Sequence, residues 1–253
     1  MSEKKIVLVT GATGGLGTAM CKKLYDDGFI VVANYRNEEK AREWKEKLHQ
    51  EGYDIAIYYA DVADYDSCGK MIEQITKDLG TVDVLVNNAG ITKDGAFRKM
   101  TPENWKAVIS TNLDSVFNCT RHVINPMIEK GFGRIINISS VNGQRGQFGQ
   151  ANYSAAKAGM HGFSKTLAME VANKGITVNT ISPGYIGTDM VMAVKEEIRN
   201  QIIAQIPMGR LGGTEEVAYL VSFLASSHAS FITGANLSIN GGQIGRASCR
   251  ERV

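Results

Sequence analysis

An α/β fold, with one doubly wound parallel sheet and helices on both faces, is predicted by three features of this 253-residue chain. Short apolar runs alternate with helix-length segments from end to end, the pattern of successive right-handed βαβ units. A glycine-rich turn, Thr10-Gly11-Ala12-Thr13-Gly14-Gly15-Leu16-Gly17, joins the first apolar run to the first helical segment. No Pro- or Ser-rich linker, composition break or internal repeat divides the chain, so one domain over residues 1–243 is expected.

Each element has its own signal. Ile6-Val7-Leu8-Val9 is wholly apolar, as a strand buried on both faces should be. Leu16, Ala19, Met20 and Leu24 recur at helical spacing, and Gly28 stops that helix. Phe29–Tyr35 reads as the second strand, and Glu38–Glu51 as a charged surface helix ended by Gly52. A strand at Tyr53–Tyr59, a helix at Asp64–Leu79 and a strand at Val82–Val86 follow. Two helices are expected at Pro102–Thr111 and Asp114–Lys130, then a strand at Arg134–Ile138. The segment Gln150–Asn173 reads as one long helix, followed by a strand at Ile176–Ile181. Glu215–Ala225 is helical, and Ala235–Ile239 is the last strand. Tyr185–Gly213 is the least regular stretch and stands where a lid over the sheet edge would belong. Residues 244–253, polar and aperiodic, read as a dispensable extension.

Composition narrows the function classes. The chain is 43% hydrophobic and 21% charged, with a formal net charge of +2, which supplies no strong field for nucleic acid or a membrane surface. Its four cysteines, Cys21, Cys68, Cys119 and Cys249, include no C-x-x-C pair. That argues against a metal site or a disulfide framework and suits a reducing cytoplasm. The start, Met1-Ser2-Glu3-Lys4-Lys5, lacks the apolar core of a signal peptide, so a cytoplasmic location is expected.

Two motifs carry chemistry. Gly11, Gly15 and Gly17 let backbone approach a pyrophosphate, and the helix that follows offers free N–H groups; a tight βα turn without a ligand is the alternative. At the end of the second strand an acidic residue would hold a ribose 2′-hydroxyl. This chain has Asn34-Tyr35-Arg36-Asn37 instead, and the Arg36 fork suits a 2′-phosphate. The second motif is Tyr153-Ser154-Ala155-Ala156-Lys157. Positions i and i+4 share a helix face. A free phenol has a pKa of about 10, and a neighbouring cation is expected to lower it. Such a pair can protonate a carbonyl oxygen or deprotonate an alcohol.

The glycine turn, Asn87-Asn88-Ala89-Gly90, Asn112, Ser140, Tyr153-x-x-x-Lys157 and Pro183-Gly184 occur in the order and spacing of the short-chain dehydrogenase/reductases, which the chain resembles from about Lys5 to Gly242. The resemblance implies a Rossmann-type domain that binds NADP(H). It implies a catalytic set of Asn112, Ser140, Tyr153 and Lys157. Tyr153 would be the acid/base, with its pKa lowered by Lys157, and Lys157 would also hold the nicotinamide ribose. Ser140 would orient the substrate carbonyl, and Asn112 would hold a water. It further implies cofactor contacts from Gly11, Thr13, Gly15, Leu16, Gly17, Asp61, Val62, Asn88, Ala89, Gly90, Pro183, Gly184, Ile186 and Thr188, beside Arg36.

Val141–Gln150, Ile91–Asp94, Phe97–Met100 and Ser182–Tyr185 look like the corresponding segments of acetoacetyl-CoA reductases of polyhydroxybutyrate synthesis. An acyl-CoA substrate is therefore implied, with Asp94, Lys99, Ser140, Gln147, Phe148, Gln150 and Tyr185 as its pocket and rim. Phe148 with Tyr185 is expected to wall a small acyl pocket. Related 3-oxoacyl-ACP reductases commonly carry Arg in the glycine loop, where this chain has Gly14. A carrier-protein thioester stays open as an alternative. So does a dinucleotide-sensing protein without catalysis, although such proteins typically lack the Tyr or the Lys. The family resemblance implies a homotetramer; the long Tyr153 helix, apolar on more than one face, also needs a second partner.

Overall fold

The computed structural model describes residues 4–244, apart from the side chains of 189 and 190. Among these residues seven strands form one parallel sheet: β1 (Ile6–Val9), β2 (Ile30–Tyr35), β3 (Ala56–Tyr59), β4 (Val82–Asn87), β5 (Gly133–Ile138), β6 (Ile176–Pro183) and β7 (Asn236–Ile239). The order across the sheet is β3-β2-β1-β4-β5-β6-β7. Winding therefore reverses between β1 and β4, and a crevice opens there beyond the carboxyl ends of the strands. The four central strands β1, β4, β5 and β6 are buried along their whole length. β1 is wholly apolar for that reason, while the buried polar residues of β5 and β6, such as Asn137, Asn179 and Thr180, are hydrogen-bonded.

The helices are α1 (Gly15–Asp26), α2 (Glu38–Gln50), α3 (Tyr65–Asp78), α4 (Pro102–Ile109), α5 (Ser115–Lys130), α6 (Val141–Arg145), α7 (Ala151–Val171), α8 (Asp189–Met192), α9 (Glu196–Ala204) and α10 (Thr214–Ala225). The period-2 alternation of the strands divides the core between two faces. Val7 and Val9 of β1 meet Met20 and Leu24 of α1, Leu48 of α2 and Val217, Val221 and Leu224 of α10. Leu8, between them, points to the opposite core, with Met71 and Ile75 of α3, Val123 and Met127 of α5 and Ala168 and Val171 of α7.

The predicted sheet and helix succession matches the structure, with four local corrections. The third strand is shorter than Tyr53–Tyr59: Tyr53 N–H still bonds back to Leu48, so ladder pairing with β2 starts only at Ala56. The two helices expected at Pro102–Thr111 and Asp114–Lys130 are joined by a π-helical turn over Ser110–Asp114, which carries Asn112. Helix α6 was not expected, because Gly143 lowers helix propensity. Ser140 caps it, its hydroxyl accepting from Asn142 N–H at 3.1 Å. A Cβ at Gly143 would lie 2.9 Å from the Lys157 backbone, so the close approach of α6 to α7 requires glycine. The stretch read as irregular, Tyr185–Gly213, holds α8 and α9. The proposed extension falls, from residue 245 onward, outside the described residues.

Candidate active site

The glycine turn folds as a cradle. Gly11 has φ +61°, and a Cβ there would sit 2.8 Å from Ala89 Cα. A Cβ at Gly17 would sit 2.7 Å from Ala12 Cα. Only glycine allows either approach. Asn88 locks the turn to β4, its amide donating to the carbonyls of Thr10 (2.9 Å) and Gly11 (3.1 Å). Thr10 Oγ1 in turn accepts from the N–H groups of Asn88 and Ala89, both at 3.0 Å.

A groove of about 620 Å³ runs over this cradle. It brings together Gly11, Thr13, Gly15, Leu16 and Gly17 at the amino end of α1 with Arg36 beyond β2, Asp61 and Val62 beyond β3, and Asn88, Ala89, Gly90 and Thr188. The length of the groove, its exposed N–H groups at the head of α1 and its terminal guanidinium fit a dinucleotide carrying an extra phosphate. No carboxylate ends β2. Asn34 is spent on the fold, donating to Ala60 O at 3.1 Å and accepting from Gly11 N at 3.4 Å. Arg36 is exposed and free to reach a ligand.

The groove opens into a cleft of about 270 Å³ over β4, β5 and β6. Here Ser140, Tyr153, Lys157, Pro183, Gly184, Tyr185, Ile186 and Gln150 meet, and Leu16, Asn88, Gly90 and Thr188 border both spaces. Lys157 is 3% exposed, and its ammonium donates to Ile138 O at 2.7 Å. Burial without a carboxylate partner pushes its pKa down to about 7. The Lys157 nitrogen lies 5.6 Å from the Tyr153 ring centre.

Burial raises the Tyr153 phenol above its ordinary value; the Ser140 hydroxyl pulls the other way, and Asp94 adds a smaller upward push. The expected lowering by Lys157 is therefore not what governs Tyr153. Desolvation, the largest influence on the group, disfavours the phenolate. At neutral pH the phenol is protonated, the form that can donate a proton.

Asn112 is fully buried, and its amide is engaged at both ends with Ile91: the oxygen accepts from Ile91 N at 2.8 Å and the nitrogen donates to Ile91 O at 3.0 Å. Its side chain thus holds the loop after β4 against α5 and α7. A Cβ at Gly90 would lie 3.5 Å from both Asn112 Oδ1 and Lys157 Nζ, so the glycine lets these two side chains close round it.

The candidate substrate residues divide. Ser140, Gln150 and Tyr185 line the cleft. Asp94 stands at its edge, accepting from Gln150 Nε2 at 2.9 Å. Lys99 and Gln147 are exposed outside the lining. The expectation that Phe148 walls the acyl pocket is corrected: its ring is 89% exposed and absent from the lining. Gly149, with φ +80°, turns the chain there, and its carbonyl accepts from Gly95 N at 2.8 Å. The loop is fastened through its backbone, which leaves Phe148 outward.

Two residues escaped sequence reasoning. Asn142 lines the cleft, gives its amide nitrogen to Gln150 Oε1 at 3.0 Å and leaves its buried oxygen unpartnered beside Ser140. Asn152, fully buried, donates to Lys93 O at 3.1 Å and Asn104 O at 3.3 Å, tying the loop after β4 to α7. Its place directly before Tyr153 was the available signal.

A family model described as short chain dehydrogenase matches residues 5–199. An acetoacetyl-CoA reductase of Allochromatium vinosum is 56% identical over 240 residues, covering 94% of this chain and 98% of that relative. An acetoacetyl-CoA reductase of Cupriavidus necator is 52% identical over 240 residues, 94% of this chain and 98% of its own. The 3-oxoacyl-[acyl-carrier-protein] reductase of Salmonella typhimurium is 47% identical over 240 residues, 95% of this chain and 97% of its own.

Proposed function

The chain belongs to the short chain dehydrogenase family, and on that premise we propose that it is an NADPH-dependent oxidoreductase. The reaction is reduction of acetoacetyl-CoA to (R)-3-hydroxybutyryl-CoA, in polyhydroxybutyrate synthesis. The observation that carries this reading is the convergence of Ser140, Tyr153 and Lys157 in one cleft that opens directly onto the dinucleotide groove. Relatives named as acetoacetyl-CoA reductases, at 52–56% identity, support the substrate.

NADPH would supply the hydride; the glycine cradle would hold its pyrophosphate, Arg36 its 2′-phosphate, and Pro183, Gly184, Ile186 and Thr188 its nicotinamide end. Ser140 donates a hydrogen bond to the 3-keto oxygen. Its Oγ accepts from Asn142 N–H, which fixes the hydroxyl beside the Tyr153 phenol, so both groups can address one oxygen. Tyr153, protonated at neutral pH, gives its proton to the developing alkoxide. Lys157 would hold the nicotinamide ribose, and Asn112, which fixes the loop after β4 through Ile91, would hold a water in the proton relay.

The rim suits an anionic thioester tail. Residues 91–100 and 141–150 hold four cations, Lys93, Arg98, Lys99 and Arg145, against one acid, Asp94: net +3, where the whole chain carries +2. Exposed Phe97 and Phe148 flank them. Asp94, Lys99, Gln147 and Phe148 belong to this rim, and Gln150 and Tyr185 to the acyl pocket.

A cytoplasmic homotetramer completes the reading. Cys21, Cys68 and Cys119 are free thiols, and no helix among the described residues is long and apolar enough to cross a membrane. Phe117 on α5 is 51% exposed and stacks on Tyr65 of α3 at 6.0 Å, and Met169 on α7 is 86% exposed. Neighbouring copies would cover these apolar surfaces. The test is NADPH consumption with acetoacetyl-CoA in competition with an acyl-carrier-protein thioester, on protein whose mass is read by light scattering. Preference for the CoA thioester by a tetramer is expected. Preference for the carrier-protein thioester would replace the substrate, and a monomer would remove the assembly.

A further inference from the structure

Beside the cleft, which Ser139 lines, a polar cluster links four elements. His161 stands on α7 one turn after Lys157, and it does not line the cleft. Its Nε2 lies 2.9 Å from Ser139 Oγ and 3.3 Å from Ser182 Oγ. Both serines sit at the carboxyl ends of central strands. Ser139 directly precedes Ser140, and Ser182 directly precedes Pro183-Gly184.

The proton positions follow from the acceptors. Ser139 Oγ donates to Lys157 O at 2.8 Å, and Ser182 Oγ donates to Asn236 Oδ1 at 2.7 Å. A hydroxyl has one proton to give. Each serine has given it to an oxygen, so toward His161 each can only accept. Nε2 therefore carries hydrogen and shares it between the two hydroxyls.

Lys157 is held at both ends by one dipeptide. Its ammonium donates to Ile138 O at 2.7 Å, and its carbonyl accepts from Ser139 Oγ. The tips of β5 and β6 are paired through their backbones, with Ser139 N–H donating to Ile181 O at 2.7 Å, and the imidazole N–H adds a side-chain bond from the helix bearing Tyr153 to both tips at once. The two serines are 4% and 0% exposed, so no bulk water replaces that bond if it is lost.

We propose that His161 is a positioning residue: its Nε2–H, bridging Ser139 and Ser182, sets the placement of Ser140 and Lys157 relative to Tyr153. This rests on the reductase reading above, because it supposes that Ser140 and Tyr153 must address one oxygen. Reactions of that kind tolerate little misplacement, with a displacement near 1 Å costing about 10²-fold in rate.

The experiment compares wild type with His161→Leu, which fills the space but donates nothing, and with His161→Gln, whose amide nitrogen can reach the same hydroxyls. Read out are kcat, the Kd for NADPH by fluorescence, and the melting temperature. The expected result is a fall in kcat of about tenfold or more for His161→Leu, with NADPH Kd within about twofold and a melting temperature within a few degrees of wild type. His161→Gln is expected to recover most of the lost kcat. Ser139→Ala combined with His161→Leu should cost less than the sum of the two single losses, since both remove the Ser139–His161 bond.

A kcat within twofold of wild type for His161→Leu would overturn the proposal. So would a glutamine variant no better than the leucine one, or strictly additive losses in the double variant. Should His161→Leu fail to fold, the Gln variant and the Ser139–His161 coupling measured through His161→Gln still decide. Wild-type turnover of acetoacetyl-CoA tests the reductase reading separately; the ratio of variant to wild type, with whichever thioester the wild type reduces, tests this one.

Discussion

Replacing Lys157 by Met should stabilise the protein while abolishing its activity. The wild-type ammonium is removed from water without a carboxylate in return, and its pKa falls from an ordinary 10.5 to about 7. At about 1.36 kcal/mol per tenfold change, that fall represents roughly 4–5 kcal/mol of folding free energy. Methionine has a similar length and no charge to desolvate. Against this stands the lost hydrogen bond to Ile138 O, held at 2.7 Å, whose orphaned carbonyl costs about 1–3 kcal/mol. A net gain of about 1–4 kcal/mol at pH 7 remains.

The sign of the pH dependence is fixed. Between the folded value near 7 and the unfolded value of 10.5, the unfolded chain binds the extra proton, so wild-type stability rises with pH across that window. Below the folded value both states are protonated and the penalty is at its fullest. A thioether cannot titrate, so the advantage of Lys157→Met should shrink as pH rises from 7 toward 10. Urea denaturation of both proteins at pH 7, 8.5 and 10, without NADPH, measures it. A variant less stable than wild type at pH 7, or a stability gap that does not change with pH, would refute the reasoning.

Three further outcomes are expected. Tyr153→Phe should cut turnover by at least ~10²-fold, the scale of a positioned acid, while leaving NADPH affinity near wild type; unchanged turnover would remove Tyr153 from the mechanism. Wild type should favour NADPH over NADH by about tenfold or more, because a charge-assisted contact contributes roughly 1.5–3 kcal/mol, and Arg36→Asp should reverse or erase that preference; equal kcat/KM values in wild type would sink the assignment. Phe148→Ala should raise KM for acetoacetyl-CoA by about two- to tenfold, since a mostly exposed ring recovers only part of its burial energy. The rate ratio of acetoacetyl-CoA to a 3-ketooctanoyl thioester should not change. A narrowed ratio would return Phe148 to the acyl wall.

The sequence by itself determined the alternation of strands and helices, the dinucleotide cradle and the Tyr153–Lys157 pair. These depend on local pattern: continuous apolar runs demand burial on two faces, glycines permit backbone approach, and a four-residue interval on a helix fixes a shared face. It also determined that Arg36, not an acid, follows β2. What tertiary structure decided lies in contacts between segments far apart in the chain. The π turn at Asn112 has no sequence period of its own and is closed by Ile91, 21 residues away. Phe148 faces outward because Gly149 is tied to Gly95 across two loops, which no apolar pattern encodes. The phenol of Tyr153 is held up, not down, because desolvation depends on everything packed around it, whereas the helix interval specifies only the neighbour. The link from His161 to Ser139 and Ser182 spans 22 and 21 residues and exists only where two strand tips and one helix meet. Local sequence selects the elements; the energies of burial and of long-range hydrogen bonds, fixed only when the elements pack, set what each side chain can do.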